Sequence, residues 1–256
     1  MEKGIFEAKR SDNSIYYRVS IIFEGKHISI GSYNNLKDAQ SARKEAEKIC
    51  FDKLWTINDY KEIKSLSFEK FIVLINYRDN KIYFRTPIYL KSNFFYYYLS
   101  PTNVYKFDKD DLFYYSNHKI MKRGNHLFVF DYGYQINLFD RYNIPSYSVY
   151  GRDYRFRNDD PTDFRYENIE IINPYHGVVK KNTKRKIVYI AKIHINGYIK
   201  IGEYKTELEA AIAYNKACDI VSQKTKTQYI QNNPNISPKE YAEIYTKIRI
   251  SDKLTT

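Results

Sequence analysis

The sequence predicts an α+β protein in which two units, each a three-stranded antiparallel sheet with one helix, flank a β-rich middle region. Three observations carry this. Residues 15–49 recur in altered form at 188–221. In both copies an alternating strand reaches a glycine turn, at Gly25 or Gly197, and the next strand ends in Gly-x-Tyr, at Gly31 and Tyr33 or at Gly202 and Tyr204. An Ala-rich amphipathic helix follows at one fixed distance, eight positions from Gly31 to Ala39 and eight from Gly202 to Ala210. Repetition on this scale marks one supersecondary unit used twice.

Residues 1–52 form the first unit, with strands expected at 4–8, 16–23 and 26–33. In the second strand Tyr17, Val19, Ile21 and Phe23 share one face and Tyr16, Arg18 and Ser20 the other, the period of a half-buried sheet. Asn35 is placed to cap a helix whose Leu36, Ala39, Ala42, Ala46 and Ile49 fall on one stripe. Residues 53–173 form the middle region. Its runs FIVLINY, KIYFRTPIYL and NFFYYYLS read as β-rich, and 111–136 as a strand, a Gly124-Asn125 turn and a return strand.

Residues 174–223 are the second unit. Gly177-Val178-Val179 opens it, and a basic loop runs through Lys180, Lys181, Lys184, Arg185 and Lys186. Ala191, Ile193 and Ile195 point inward, Asn196-Gly197 predicts a two-residue hairpin turn, and Thr206 with Glu209 a capping box. This hairpin is one residue shorter than that of the first copy. Residues 224–256 are a linker and a helix that Ser237-Pro238-Lys239-Glu240 starts and that ends near Ile248.

Forty-two basic against 30 acidic residues leave a net charge of +12, which favours a polyanionic partner through counterion release. Hydrophobic content of 43% supports packed cores and argues against a disordered chain. The 28 tyrosines have a compositional source in AT-rich codons, and a minority of the rings is expected to stack on bases or sugars. Cys50 and Cys218 stand at non-equivalent positions and make neither a zinc pattern nor a disulfide framework, as in a reducing compartment. No leader-like segment and no 18-residue apolar run is seen, so no membrane partner is expected and an intracellular location is expected. The five histidines lack metal-ligand spacing, and no phosphate-binding glycine loop, nucleophile elbow or catalytic Cys-His pattern occurs. No cofactor is expected.

The repeated unit, YRVSIIFEGKHISIGSYNNLKDAQSA and YIAKIHINGYIKIGEYKTELEAAIAY, resembles the ethylene-response-factor (Apetala-type) DNA-binding domain, a three-stranded sheet packed on a helix. From about residue 111 to 220 the order of segments is similar to HNH homing endonucleases that carry this domain at their C-terminus. DDPTDFRYENIEIIN stands where that family has its Asn-Pro-Leu-Asp-Asn-Arg-x-Glu-Asn-Leu segment, with Pro161, Asp163, Arg165, Glu167, Asn168 and Ile169 in register. The middle region would then hold a degenerate HNH (ββα-like) module at about 111–173.

The chemistry of that module is missing. Such nucleases use a His to deprotonate water beside one divalent metal. The resemblance puts Phe156 at the general-base position, Arg155 at a metal-ligand position and Asp140 where an orienting His belongs. A phenyl ring takes no proton and a guanidinium binds no cation. Asp140, Asp153, Asp159, Asp160 and Asp163 could rebuild an acidic site with His176 nearby, although Asp159-Asp160-Pro161 also reads as a turn and Asp163 as a helix cap.

The expectation is therefore a non-catalytic, transcription-regulator-like protein that binds double-stranded DNA. The alternatives are an active metal-dependent endonuclease and a sequence-independent packaging protein. By family register the first reader would use Arg18, Ser20, His27 and Ser29 with Lys9 and Arg10. The second would use Lys192, His194 and Lys200, with Lys180, Lys181, Lys184 and Arg185 on phosphates. Arg18 suits a bidentate guanine contact. Arg155 and Arg157, with no local partner beyond Asp153, would clamp phosphate. Arg165 is expected either to join them or to pair with Glu167 or Asp163.

Overall fold

The computed structural model describes residues 2–184 and 186–254 and shows a mixed α+β chain built from small antiparallel sheets. It divides into two compact units, Met1–Ile136 with Pro161–Tyr166, and Asn137–Asp160 with Glu167–Thr256.

The first unit opens with β1 (Ile5–Lys9), β2 (Ile15–Phe23) and β3 (Lys26–Tyr33), which form one antiparallel sheet, followed by α1 (Leu36–Phe51). The Asn35 side chain accepts the Asp38 N–H and starts the helix. Val19, Ile21, Ile28 and Ile30 face Ala39, Ala42, Ala46 and Ile49, all buried. Ile30 is an extra residue in β3, since Val19 pairs with Gly31 and Ser20 with Ser29, and this bulge adds its side chain to the core. The Gly-x-Tyr signature is a packing device, because the Tyr33 ring lies over Gly31 where a methyl group would sit.

FIVLINY belongs to α2 (Phe68–Asn80), not to a strand. Ser67 caps it by accepting the Lys70 N–H, and Lys81 ends it in the left-handed region. Residues 71–78 of this helix are all buried, so no polar stripe reveals its period. Arg78 is among them. Its guanidinium donates to the carbonyls of Ile49 (3.1 Å), Asp52 (2.9 Å) and Trp55 (2.8 Å), and so closes the C-terminal end of α1.

Of the other two runs, NFFYYYLS is β-structure as expected, whereas KIYFRTPIYL is strand only over its last three residues: β4 (Ile88–Leu90), β5 (Phe94–Ser100) and β6 (Asn103–Asp108) make a second antiparallel sheet. Residues 112–117 are helical (α3, Leu112–Asn117), which corrects the strand expected there. Gly124-Asn125 does turn β7 (Met121–Arg123) into β8 (His126–Asp131), which β9 (Tyr134–Asn137) extends. Residues 161–166 return to this unit: Lys106 bridges Asp163, and Phe164 is buried against Phe107 and Tyr105.

The second unit holds the short hairpin of β10 (Tyr154–Phe156) and β11 (Ile169–Ile171). Then come β12 (Val178–Asn182), β13 (Ile187–His194) and β14 (Tyr198–Tyr204), with α4 (Glu207–Thr225) and α5 (Pro238–Lys247). The capping box of Thr206 and Glu209 is formed, and Ser237 caps α5. Ala191 pairs with Gly202 and Lys192 with Lys200, so Ile201 is a bulge at the position of Ile30. The hairpins differ. Phe23 pairs with Lys26 around a two-residue turn, whereas His194 pairs with Tyr198, so Asn196-Gly197 ends a three-residue connection. Eight residues separate the paired Ser20 and Ser29 but seven separate Lys192 and Lys200, so the second hairpin loses one pair and closes on an odd number of residues. Cys50 and Cys218 are free and buried, and burial lifts both thiols, to about 12 and about 11. Among the described residues no helix is long and apolar enough to cross a membrane.

In both copies a glycine with positive φ, Gly4 (+83°) or Gly177 (+71°), accepts from β2 or β13 through its carbonyl, at 2.8 Å from Ser20 N or Lys192 N. A methyl group on Gly177 would overlap the Tyr214 ring and the Lys192 carbonyl, while one on Gly124 would meet open space. Gly177→Ala should therefore destabilise the protein by ~2–5 kcal/mol, conformational strain plus overlap, and Gly124→Ala by only ~1–2 kcal/mol. Urea unfolding of the two variants checks this; equal losses would mean that the approach at Gly177 is not tight.

Candidate nucleic-acid interface

The sheet of the second copy has a buried and an open face. Val178, Ala191, Ile193 and Ile201 turn toward α4. Alternation puts Lys181, Lys192, His194, Tyr198 and Lys200 on the opposite face, where Lys192 stands across from Lys200 and His194 from Tyr198. All five are exposed. Glu203 is a carboxylate among these cations. A hydrogen bond and charge from Lys200 (2.6 Å), with Lys181 and Lys186 nearby, hold it below the usual carboxylate range. Among the described residues Lys181 and Lys192 have no ion pair, so their charge is available to a ligand.

Lys184 is exposed in the loop between β12 and β13, and Arg185 lies outside the described residues. Lys180 belongs to the other face. It pairs with Tyr189 on the helix side and acts on Glu207, whose carboxyl burial raises and Lys180 partly restores. At one end of the open face a cavity of about 410 Å³ is lined by Tyr147, Tyr175, His176, Tyr214, Lys192 and His194. Sequence reasoning missed Tyr198, Lys186 and the rings of Tyr147, Tyr175 and Tyr214 as parts of this face. Tyr198 was within reach of pairing rules, since it is the first partner of His194 after the turn.

The first copy presents a different face. Arg18 is exposed opposite Phe6 and Ser32, and His27 and Ser29 are exposed. Ser20 is only 7% exposed, which removes it as a base-reading group: its short side chain lies below the level of Arg18 and Ile22, its neighbours on that face. Lys9 shares the helix side with Ile5 by register, though it is exposed at the strand end. Arg10 is engaged, donating to Asn34 Oδ1 (2.7 Å) and Ser14 Oγ (3.3 Å) and lying 5.1 Å over the Tyr16 ring. Matched on the bulge, Ser20 corresponds to Lys192, Ile22 to His194, Ser29 to Lys200 and Arg18 to Ile190. The two faces are not chemical equivalents.

In the β10–β11 hairpin, Phe156 is buried against Tyr150 and Tyr154. Arg155 and Arg157 do have a partner that sequence reasoning missed. Glu170, across the hairpin, accepts from Arg155 Nε at 3.0 Å and lies 3.8 Å from Arg157 Nε. Arg165 pairs with Asp163 at 2.8 Å. Asp163 accepts from Arg165 N and Nε and faces Lys106 at 3.5 Å. Asp153 is held by Arg152, Val149 N and Asn173 Nδ2. Asn168 accepts the Asn158 N–H at 2.9 Å and so shapes the loop. Burial raises the Asp140 carboxyl. Among the described residues no three His, Cys, Asp or Glu side chains gather in a group that could hold a metal ion.

Comparison with known proteins returns no match, whether with family models, curated proteins or solved structures.

Burial alone would raise the Asp163 carboxyl, but hydrogen bonds from Arg165 and the charges of Lys106 and Arg165 outweigh it and keep it below its ordinary value. A carboxyl lowered by folding contributes stability above its unfolded value, near 3.9, and loses it as pH falls through the folded value. Asp163→Asn should thus be less stable than the parent at pH ~6 but lose less on acidification to pH ~3. Urea unfolding at the two pH values reads this; parallel losses would show that the two cations do not stabilise the carboxylate.

Proposed function

We propose that this chain is a non-catalytic double-stranded DNA-binding protein, regulator-like, with two Apetala-type readers around a former HNH module. The observation that carries this is the open face of the β12–β14 sheet, where Lys181, Lys192, His194 and Lys200 project together from a chain of net charge +12. Such a face offers phosphate contacts from its rim and base-edge contacts from its centre. The non-catalytic reading is supported by the partners of the acidic residues, since Asp153 and Asp163 are each committed to an arginine.

Selection from random duplexes tests the proposal. An enriched motif is expected; no motif with a steep salt slope would replace regulation by coating, and no duplex affinity would end the proposal. Metal-dependent nicking of supercoiled plasmid, abolished by Asp140→Ala or Asp163→Ala, would make the chain a nuclease. Lys181→Ala with Lys192→Ala should weaken binding to all duplexes and lower the salt slope by up to ~2. Arg18→Ala should relax preference at one base position at a cost of ~1–3 kcal/mol, if the first copy reads DNA beside the second.

Glu170 offsets one of the two positive charges of Arg155 and Arg157. Glu170→Gln is expected to tighten binding to every duplex and to steepen the salt slope by about one unit if these arginines meet phosphate. An unchanged slope in the folded variant rules out the clamp.

A further inference from the structure

We propose that the first unit contains a second, separate site, which takes unpaired nucleotides in an aromatic groove between residues 53–68 and one face of the β4–β6 sheet. β5 sorts its rings by alternation. Phe95 and Tyr97 pack inward on Phe107 and Tyr115. Phe94, Tyr96 and Tyr98 form a row on the other face, with centroids 5.1 and 6.1 Å apart. Opposite that row stand Trp55, Tyr60 and Phe68, with Phe68 6.1 Å from Tyr98. Two apolar layers that met in a core would close on each other to native packing density. Here they leave about 840 Å³ between them, within the ~300–1,000 Å³ range of small-ligand sites.

The chemistry of the lining selects the ligand. Burial, with Tyr96 and Tyr89 beside it, pushes the Tyr98 phenol up to about 12. Among the described residues neither Tyr96 nor Tyr98 spends its hydroxyl on a protein partner, and neither hydroxyl is a sealed orphan, so both open on the groove. The rim carries Lys53, Lys61 and Lys91, all exposed and without an ion pair among the described residues, and Lys91 Nζ lies 4.8 Å over the Tyr89 ring. The carboxylate in the lining, Asp79, is matched by Arg78 at 2.7 Å and by the Tyr89 hydroxyl at 3.1 Å. A purely apolar ligand would strand these hydroxyls and leave the rim ammonium groups without a partner other than water. A paired duplex hides the faces of its bases. An unpaired base with its phosphate satisfies all three features, by stacking on rings, hydrogen bonding to phenols and meeting lysine charge. The ligand's source is an unpaired stretch of DNA, an RNA strand or a free nucleotide.

Trp55 is the single tryptophan of the chain and lines the groove, so its emission reports on this site alone. The full-length protein is titrated at low salt with an oligothymidylate of about eight nucleotides, its oligouridylate counterpart, thymidine monophosphate and an abasic oligomer of equal length. Saturable change in Trp55 emission with any base-bearing probe is expected, and the tightest of them names the source. Tyr96→Leu should weaken that binding ~5–150-fold, the loss of one stacked base. Lys61→Ala, at an exposed site that cannot disturb the core, should lower the salt slope by ~0.7. Lys181→Ala with Lys192→Ala should leave the titration unchanged, which separates this site from the duplex-binding face. The proposal is overturned if no probe changes the emission, if the abasic oligomer binds as tightly as the others, or if Tyr96→Leu with parental emission binds as the parent does.

Discussion

Alanine sets the distance between helix and sheet in both copies, and the rest of each copy follows from that spacing. Ala39, Ala42 and Ala46, like Ala210, Ala213 and Ala217, are wholly buried where the helix crosses the strands. With no side chain beyond Cβ, the helix backbone rests nearly on the sheet, and the bulged isoleucines, Ile30 and Ile201, fill the space beside the seam. A larger residue would lever the helix away and open the core. Because the inner face is specified so tightly, the outer face is free to vary. Ser20 and Lys192 occupy matching positions, one neutral and one positively charged.

Sequence and structure agree at most positions whose determining neighbours lie close in the chain, the Asn196-Gly197 turn excepted. The caps at Asn35, Thr206 and Ser237, the strands of both copies and the inward rows of β2 and β13 all depend on neighbours within a few residues. Tertiary context defeated the reading elsewhere. α2 is buried over eight consecutive residues, and a helix without a wet side has no visible period. At the candidate interface, Lys192, His194 and Lys200 lie together because alternation placed them there, whereas Lys180 is one residue out of phase with that face. The pairing of Glu170 with Arg155 spans 15 residues across a hairpin whose register no local signal announces.

Arg78 shows what the same limit hides energetically. Its head reaches carbonyls 23 to 29 residues earlier in the chain, so the end of α1 is completed by a residue from α2. Removing it would leave two buried acceptors, the carbonyls of Ile49 and Trp55, each costing ~1–3 kcal/mol if nothing replaced the donor, and a third, that of Asp52, part-buried. The first copy is thus not a free-standing module: its helix end is finished by the region that follows.

The return of residues 161–166 to the first unit bears on how the chain is made. Asp163 lies 57 residues beyond Lys106, the strand residue it bridges. At a synthesis rate of ~5–20 residues per second, β6 therefore waits ~3–11 s before Phe164 arrives to cover Phe107. During that interval the nascent chain carries an open sheet edge beside a cluster of aromatic rings, the condition in which a holdase chaperone binds or neighbouring chains on a polysome associate.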